Sequence, residues 1–210
     1  MLHKDYEKAV VFASEGRFSD ELTKARREFI ERTGDLFESD TAYERRIASF
    51  LEWYVLDRRI SFAPLQTPLK LFIDDVRPRL TTPELTTLRQ LTRTRLSIFE
   101  FMSSKNDVMR VKDLLCGEKI EVFERRQLTG LEAGDLMEAR LVPVDDNLTW
   151  TDAVQVHPRP VRRLILKATK RFRQSESPED GAGLVHRVTY FTNRCERYSH
   201  LKPKDIFAEL

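Results

Sequence analysis

Close to Leu96 the spacing of apolar residues changes from a helical period to a strand period, and this switch limits what the chain can become. Upstream, "DTAYERRIASFLEWYVLDRR" places Tyr43, Ile47, Phe50, Leu51 and Tyr54 on one helical stripe. Downstream come five short segments rich in β-branched and aromatic residues: "SIFEFM", "DVMRVKDLL", "EKIEVFER", "GDLMEARLVPV" and "NLTWTDAVQV". Turn formers at Gly117-Glu118, Gly130 to Gly134 and Asp145 to Asn147 separate the later ones. The pattern predicts an α+β chain. A helical region over 1–95 leads into a small five-stranded antiparallel module, barrel-like in the manner of SH3 or OB folds, and two C-terminal helices follow. Residues 96–210 form the second unit, or pack with the first as one.

The helix boundaries follow from start and stop signals. Asp5 to Ala13 forms a short helix that ends at Gly16. "SDELTKARREFIERTG" has Ser19 as N-cap and Gly34 as its stop, and it sets Leu22, Ala25, Phe29 and Ile30 on one face. The Tyr43 stripe is capped by Asp40 or Thr41 and widened by Trp53, Val55 and Leu56. So broad an apolar surface serves the core or shows Trp53 and Leu56 to a partner, and the core is the stronger reading. Pro64 and Pro68 break the chain, "TPLKLFIDDV" gives a short helix stopped at Pro78, and Thr82-Pro83-Glu84 opens another. Val108 to Arg125 reads as a hairpin around "LLCGE". In "GDLMEARLV", Leu136, Ala139 and Leu141 compete for the inside. "QSESPEDGAG" reads as a mobile loop. The last helix puts Leu184, Val188, Phe191 and Cys195 on one face, and Pro203 ends it before a short tail.

Charge narrows function without naming it. Charged residues are 33% of the chain, yet the net charge is only +2. No global field draws nucleic acid or membrane, so any electrostatic role needs local clustering. The strongest cluster is "RPVRRLILKATKRFR", Arg159 to Arg173, with seven basic residues in fifteen and no acid. As a helix it gathers Val161, Leu164, Ile165, Ala168 and Phe172 on an anchoring arc. Arg163, Lys167 and Lys170 fall opposite, and Arg159, Arg162, Arg171 and Arg173 complete the cationic set. Four readings compete. Nucleic acid would use these cations against phosphates, with Phe99, Phe101, Phe123 and Trp150 as aromatic platforms. An acidic protein partner would use the same ridge. A membrane surface is weaker, because the apolar arc is modest. The fourth reading is internal: Gly117 to Asp152 carries nine acids against four bases, enough to neutralise the helix within the fold.

Little points to catalysis. His3, His157, His186 and His200 form no i,i+3 or i,i+4 pair, and there is no CxxC, P-loop, GxGxxG or GxSxG. No metal or cofactor is expected. Cys195 with His186 or His200 lacks local support as a nucleophile and base, and Cys116 and Cys195 read as two free thiols. Asp74-Asp75 and Asp145-Asp146 are too few oxygens for a metal. His157 is read as a turn residue at a strand–helix junction. The N-terminus has acids inside its apolar part, unlike a signal peptide. No apolar run approaches about 18 residues. A cytoplasmic protein without a membrane span is therefore expected.

"FLEWYVLDR" (Phe50 to Arg58), "VKDLLCGEKIEVFER" (Val111 to Arg125) and "GDLMEARLVPV" (Gly134 to Val144) resemble stretches of an uncharacterised bacterial protein family. The resemblance covers about two thirds of the chain and implies a helical N-terminal part before a small β module, with no active site. Proteins that end such helices in a cysteine-rich zinc tail are excluded, because those cysteines are missing. The expected function is non-catalytic: binding a macromolecule in a regulatory or adaptor role, another protein first and RNA or DNA second, through the β module and its basic helix.

Overall fold

The computed structural model describes residues 4–126, 130–145, 147–175 and 181–210. His3, Asp146 and half of the polar stretch expected as a loop (176–180) lie outside them, and the end of that stretch, Gly181 to Gly183, is already helical. The helical region holds α1 (Lys4–Phe12), α2 (Ser19–Thr33), α3 (Tyr43–Glu52), α4 (Pro68–Val76) and α5 (Thr82–Leu91). Gly16–Phe18 forms a 3₁₀ turn that runs straight into α2. Ser19 is therefore already helical, not the cap, and its hydroxyl donates to the Gly16 carbonyl at 3.1 Å. Gly34 ends α2 as expected, at φ +88°. The cap of α5 is Thr81 rather than Thr82. A capping box needs a glutamate three residues on, and Glu84 stands in that relation to Thr81, accepting its N–H at 2.9 Å.

Past Glu52, α3 widens into a π turn over Trp53–Asp57. The wider turn changes which residues face inward, so Trp53, Tyr54 and Val55 are all buried in succession. They join Phe29, Phe50, Leu69 and Leu88 in the helical core, which also takes Val142 from the sheet.

The sheet contains β1 (Arg95–Lys105), β2 (Val108–Asp113), β3 (Lys119–Phe123), β4 (Leu136–Val144) and β5 (Asn147–Trp150), antiparallel throughout, in the order β3-β2-β1-β4-β5. A two-residue β6 (Gln155–Val156) pairs with β4 beside β5. The sheet curls until β3 approaches β5, giving a half-barrel. Its interior is filled by Phe99, Met109, Val111, Val122, Met137, Leu141 and Trp150.

Two C-terminal helices, α6 (Arg162–Gln174) and α7 (Gly181–Arg197), cover the outer face of β1 and β4, where Ile98 and Leu136 meet Val161, Ile165, Leu184 and Val188. Helix α7 also lies against α2. The tail is more than an end: Pro203 opens a short helix, α8 (Pro203–Ile206), and Ile206 and Phe207 are buried in the α6–α7 core.

Candidate binding surface

Helix α6 begins from a 3₁₀ turn, Arg159–Val161, in which Pro160 sets the entry angle. Val161, Ile165 and Ala168 are buried and Leu164 and Phe172 half-buried, so the anchoring arc read from the period is the arc that packs. The helix is fixed by one face, which decides where its cations point.

Those cations divide into two groups. Arg159 binds Asp135 through Nε at 2.7 Å, reaches Glu132 at 3.1 Å and donates to the Gly130 carbonyl at 3.0 Å. Arg162 donates to the Gly134 carbonyl at 2.7 Å and pairs with Glu100. Both clamp the start of α6 to the loop before β4 and are neutralised there. Both keep part of their side chains in solvent, 51% and 39% exposed, but with carboxylates already beside them. Arg171 donates to the Leu210 carbonyl at 3.0 Å, and the guanidinium of Arg173 packs over Gly117, 3.4 Å from the site of a first side-chain carbon there. Arg163, Lys167 and Lys170 are exposed and, like Arg173, have no hydrogen bond or ion pair among the described residues. Spaced at i, i+4 and i+7, they form a ridge about 10 Å long.

The acidic stretch before α6 is spent elsewhere. Glu118 pairs with Arg95, Glu121 with Arg110, and Glu124 and Asp152 with Arg126. Among the described residues, Glu132 and Asp135 are the acids of that stretch seen to reach the basic segment, at Arg159. Internal neutralisation therefore accounts for the entry of α6 and leaves the ridge aside.

Of the second surface suggested by the sequence, Trp53 is buried, 5% exposed and packed against Phe29 and His186 under the guanidinium of Arg32, and Leu56 is half-exposed on the same core. The π turn directs Trp53 inward. The aromatic platforms are closed: Phe99, Phe101 and Trp150 are buried in the barrel, and Phe123 is half-buried beneath Arg125.

A buried polar seam went unnoticed in the sequence. Along the outward face of β4, Leu136 joins the C-terminal core and Val142 the helical core, and between them stand Glu138 and Arg140, 2% and 1% exposed. Arg140 pairs with Asp57 and, at 3.3 Å, with Glu52, which also accepts from Thr151 at 3.1 Å. Burial pushes Glu52 up to about 7 despite Arg140. Glu138 meets the Thr189 hydroxyl, and burial pushes it up to about 7 as well. His157 is no exposed turn residue. It is 2% exposed, its Nδ1 lies 2.9 Å from Thr192 Oγ1, and burial holds it neutral with a pKa down at about 3. The sequence carried one signal for this seam: charged residues at two successive outward positions, 138 and 140, of an otherwise apolar strand.

Among the described residues no three His, Cys, Asp or Glu side chains converge to hold a metal, neither cysteine is bonded to the other, and no helix is long and apolar enough to cross a membrane.

Fold and surface together define an α+β protein: an antiparallel half-barrel whose outer face is shared by an N-terminal helical layer and a C-terminal helix pair, with a cationic ridge on the latter. The model of the family of unknown function DUF7986 matches residues 18–194, and the chain belongs to that family. Comparison with the curated proteins found no match, and comparison with the solved structures found none either.

Proposed function

We propose that the protein is a non-catalytic binding protein that docks an acidic segment of a partner protein on the α6 ridge, in a regulatory or adaptor role. One observation carries the reading: Arg159 and Arg162 are tied to carboxylates of the fold, whereas the trio Arg163, Lys167 and Lys170, continued by Arg173 at the helix end, is exposed without a carboxylate among the described residues. Three mobile cations on a rigid, anchored helix are a surface for carboxylates.

Nucleic acid is the weaker occupant. Three phosphates neutralised by the trio give a log–log salt slope of about −2.7, against about −5 to −9 for a protein making about 6–10 phosphate contacts. The aromatic side chains that would stack bases are in the barrel core.

The test is charge reversal of the ridge, R163E/K167E/K170E. Fluorescently labelled polyglutamate, a DNA duplex and a single-stranded RNA are titrated at about 50 mM salt, where phosphate contacts are strongest. Polyglutamate should bind the native chain and lose affinity at least tenfold for the variant. Capture of a partner from native lysate should survive nuclease treatment and fail with the variant. The melting temperature should not fall, because the three side chains hold nothing together. A lower melting temperature returns the ridge to a structural role, and capture that disappears with nuclease points to nucleic acid.

A further inference from the structure

The geometry points to a second docking site, independent of α6: the free edge of β1 at the mouth of the half-barrel, shaped for an extended acidic segment of a partner protein. Strand β1 is paired on both sides only as far as Phe101. Its ladder with β4 ends at Glu100 opposite Leu136 and is prolonged by Phe101 N–H to Asp135 O and Gly134 N–H to Phe101 O, both 2.8 Å. Between Phe101 and Ser103 the register with β2 slips, and a bulge turns the strand away from β4. Beyond it Ser103, Ser104 and Lys105 pair with β2 alone, and among the described residues nothing pairs with their other backbone edge. The arm closes in a tight turn at Asn106 and Asp107, φ +52° and +60°, the left-handed conformation that two-residue hairpins need.

An unpaired edge is common, and a bulge with a nearby lysine is one way of keeping it from indiscriminate pairing. What sets this edge apart is the cavity at its foot. About 420 Å³ opens between the arm and the chain leaving β3, floored by Phe101 and Met109 and walled by Leu131. On its rim Lys105 and Arg125 have no carboxylate among the described residues, and Arg125 lies over the Phe123 ring at 5.1 Å. Arg126 is already held by Glu124 and Asp152, at 2.6 Å each. The unpaired cations of the mouth are thus Lys105 and Arg125, with the Asp107 carboxylate alone on the same lining outside the Arg126 cluster.

A strand added to such an edge gains backbone hydrogen bonds and places alternate side chains to either side. One set enters the apolar mouth, and the other meets Lys105 and Arg125. The partner segment therefore alternates apolar and acidic residues.

The experiment is an amide NMR titration of the full chain with acetyl-(Val-Glu)₃-amide, with its (Val-Lys)₃ counterpart and a backbone N-methylated (Val-Glu)₃ as controls. The glutamate peptide should bind saturably and shift the amides of Ser103, Ser104, Lys105 and Leu131. N-methylation, which removes the peptide's donors, and the K105E/R125E pair, which removes the rim charge, should each weaken binding at least tenfold. The lysine peptide should not bind. Equal binding of the N-methylated peptide, indifference to the rim charges, or no shift at the mouth each overturns the proposal. Shifts confined to Arg163, Lys167 and Lys170 report the α6 ridge and equally remove the mouth as a site.

Discussion

Glu138 has no place to carry a charge. It is buried in the interface of β4 and α7, and the Arg45 and Arg140 guanidinium groups that favour its ionisation are outweighed by desolvation. The hydrogen bonds agree. Thr189 has one hydroxyl proton and two oxygen neighbours, Glu138 Oε2 and the Val185 carbonyl at 2.8 Å. A protonated Glu138 donating to Thr189, with Thr189 donating to Val185, satisfies both; an ionised Glu138 leaves one acceptor short. The consequence for stability has a definite sign. The folded pKa, about 7, lies above the ordinary 4.5, so the stabilisation is complete below about pH 4.5 and is lost as pH rises through 7. The loss is on the order of 3 kcal/mol. Glu138→Gln keeps a neutral group of the same shape, and its stability relative to the native chain should rise by roughly that amount between pH 4.5 and 8. Urea denaturation at the two pH values measures it, and parallel pH curves for the two proteins would contradict the assignment. His157 has the opposite sign: its folded pKa of about 3 lies below 6.5, so its share of the stability is lost as pH falls through that window.

At the scale of elements, β4 shows what a sequence pattern reveals and what it conceals. The sequence identified it as a strand and left Leu136, Ala139 and Leu141 competing for the inside, which Ala139 and Leu141 take alongside Met137. Leu136 went to the opposite face, because that face is covered as well. A charge at every second position normally marks water, yet here α3 and α7 arrive from 83 and 51 residues away to bury Arg140 and Glu138. Separations of that kind leave no local trace. Helix α6 divides the same way. Its apolar arc is a matter of period and was legible. Which cations are tied was not, since the carboxylates of Asp135 and Glu100 come from 24 and 62 residues away. Short-range signals fared better where one residue decides, as at Gly34, and slipped by one position at Ser19 and Thr82 where neighbouring hydroxyls compete. The seam also predicts a cost. Arg140→Ala leaves Asp57 and Glu52 without their buried counterion and should destabilise by about 3–5 kcal/mol. Adding Glu52→Gln should recover part of that loss in a double-mutant cycle, because the carboxylate that most resents the missing cation is then neutral. Strict additivity of the two changes would show that Arg140 and Glu52 do not interact.

At the scale of the molecule, the change of period near residue 96 marks a change of architecture, and the contacts across it favour a single cooperative unit. Val142 of β4 is part of the helical core, Arg140 is bonded to Asp57 and Glu52, and α7 lies between α2 and β1. Asn193 of α7 donates to the Thr33 carbonyl at 2.9 Å, satisfying the end of α2 from the far half of the chain. Neither half can shed the other without uncovering apolar surface and stranding buried charge. The two tryptophans make this measurable, since Trp53 lies in the helical core and Trp150 in the barrel. In Trp53→Phe the fluorescence reports the barrel alone, and in Trp150→Phe the helical core alone. For each variant the fluorescence midpoint in urea should coincide with the midpoint of its own circular-dichroism transition, as two-state unfolding requires. A barrel signal that outlasts the helical one in the same variant would mean that the switch at residue 96 is a true domain boundary and that the Arg140 seam is a contact between independent folding units.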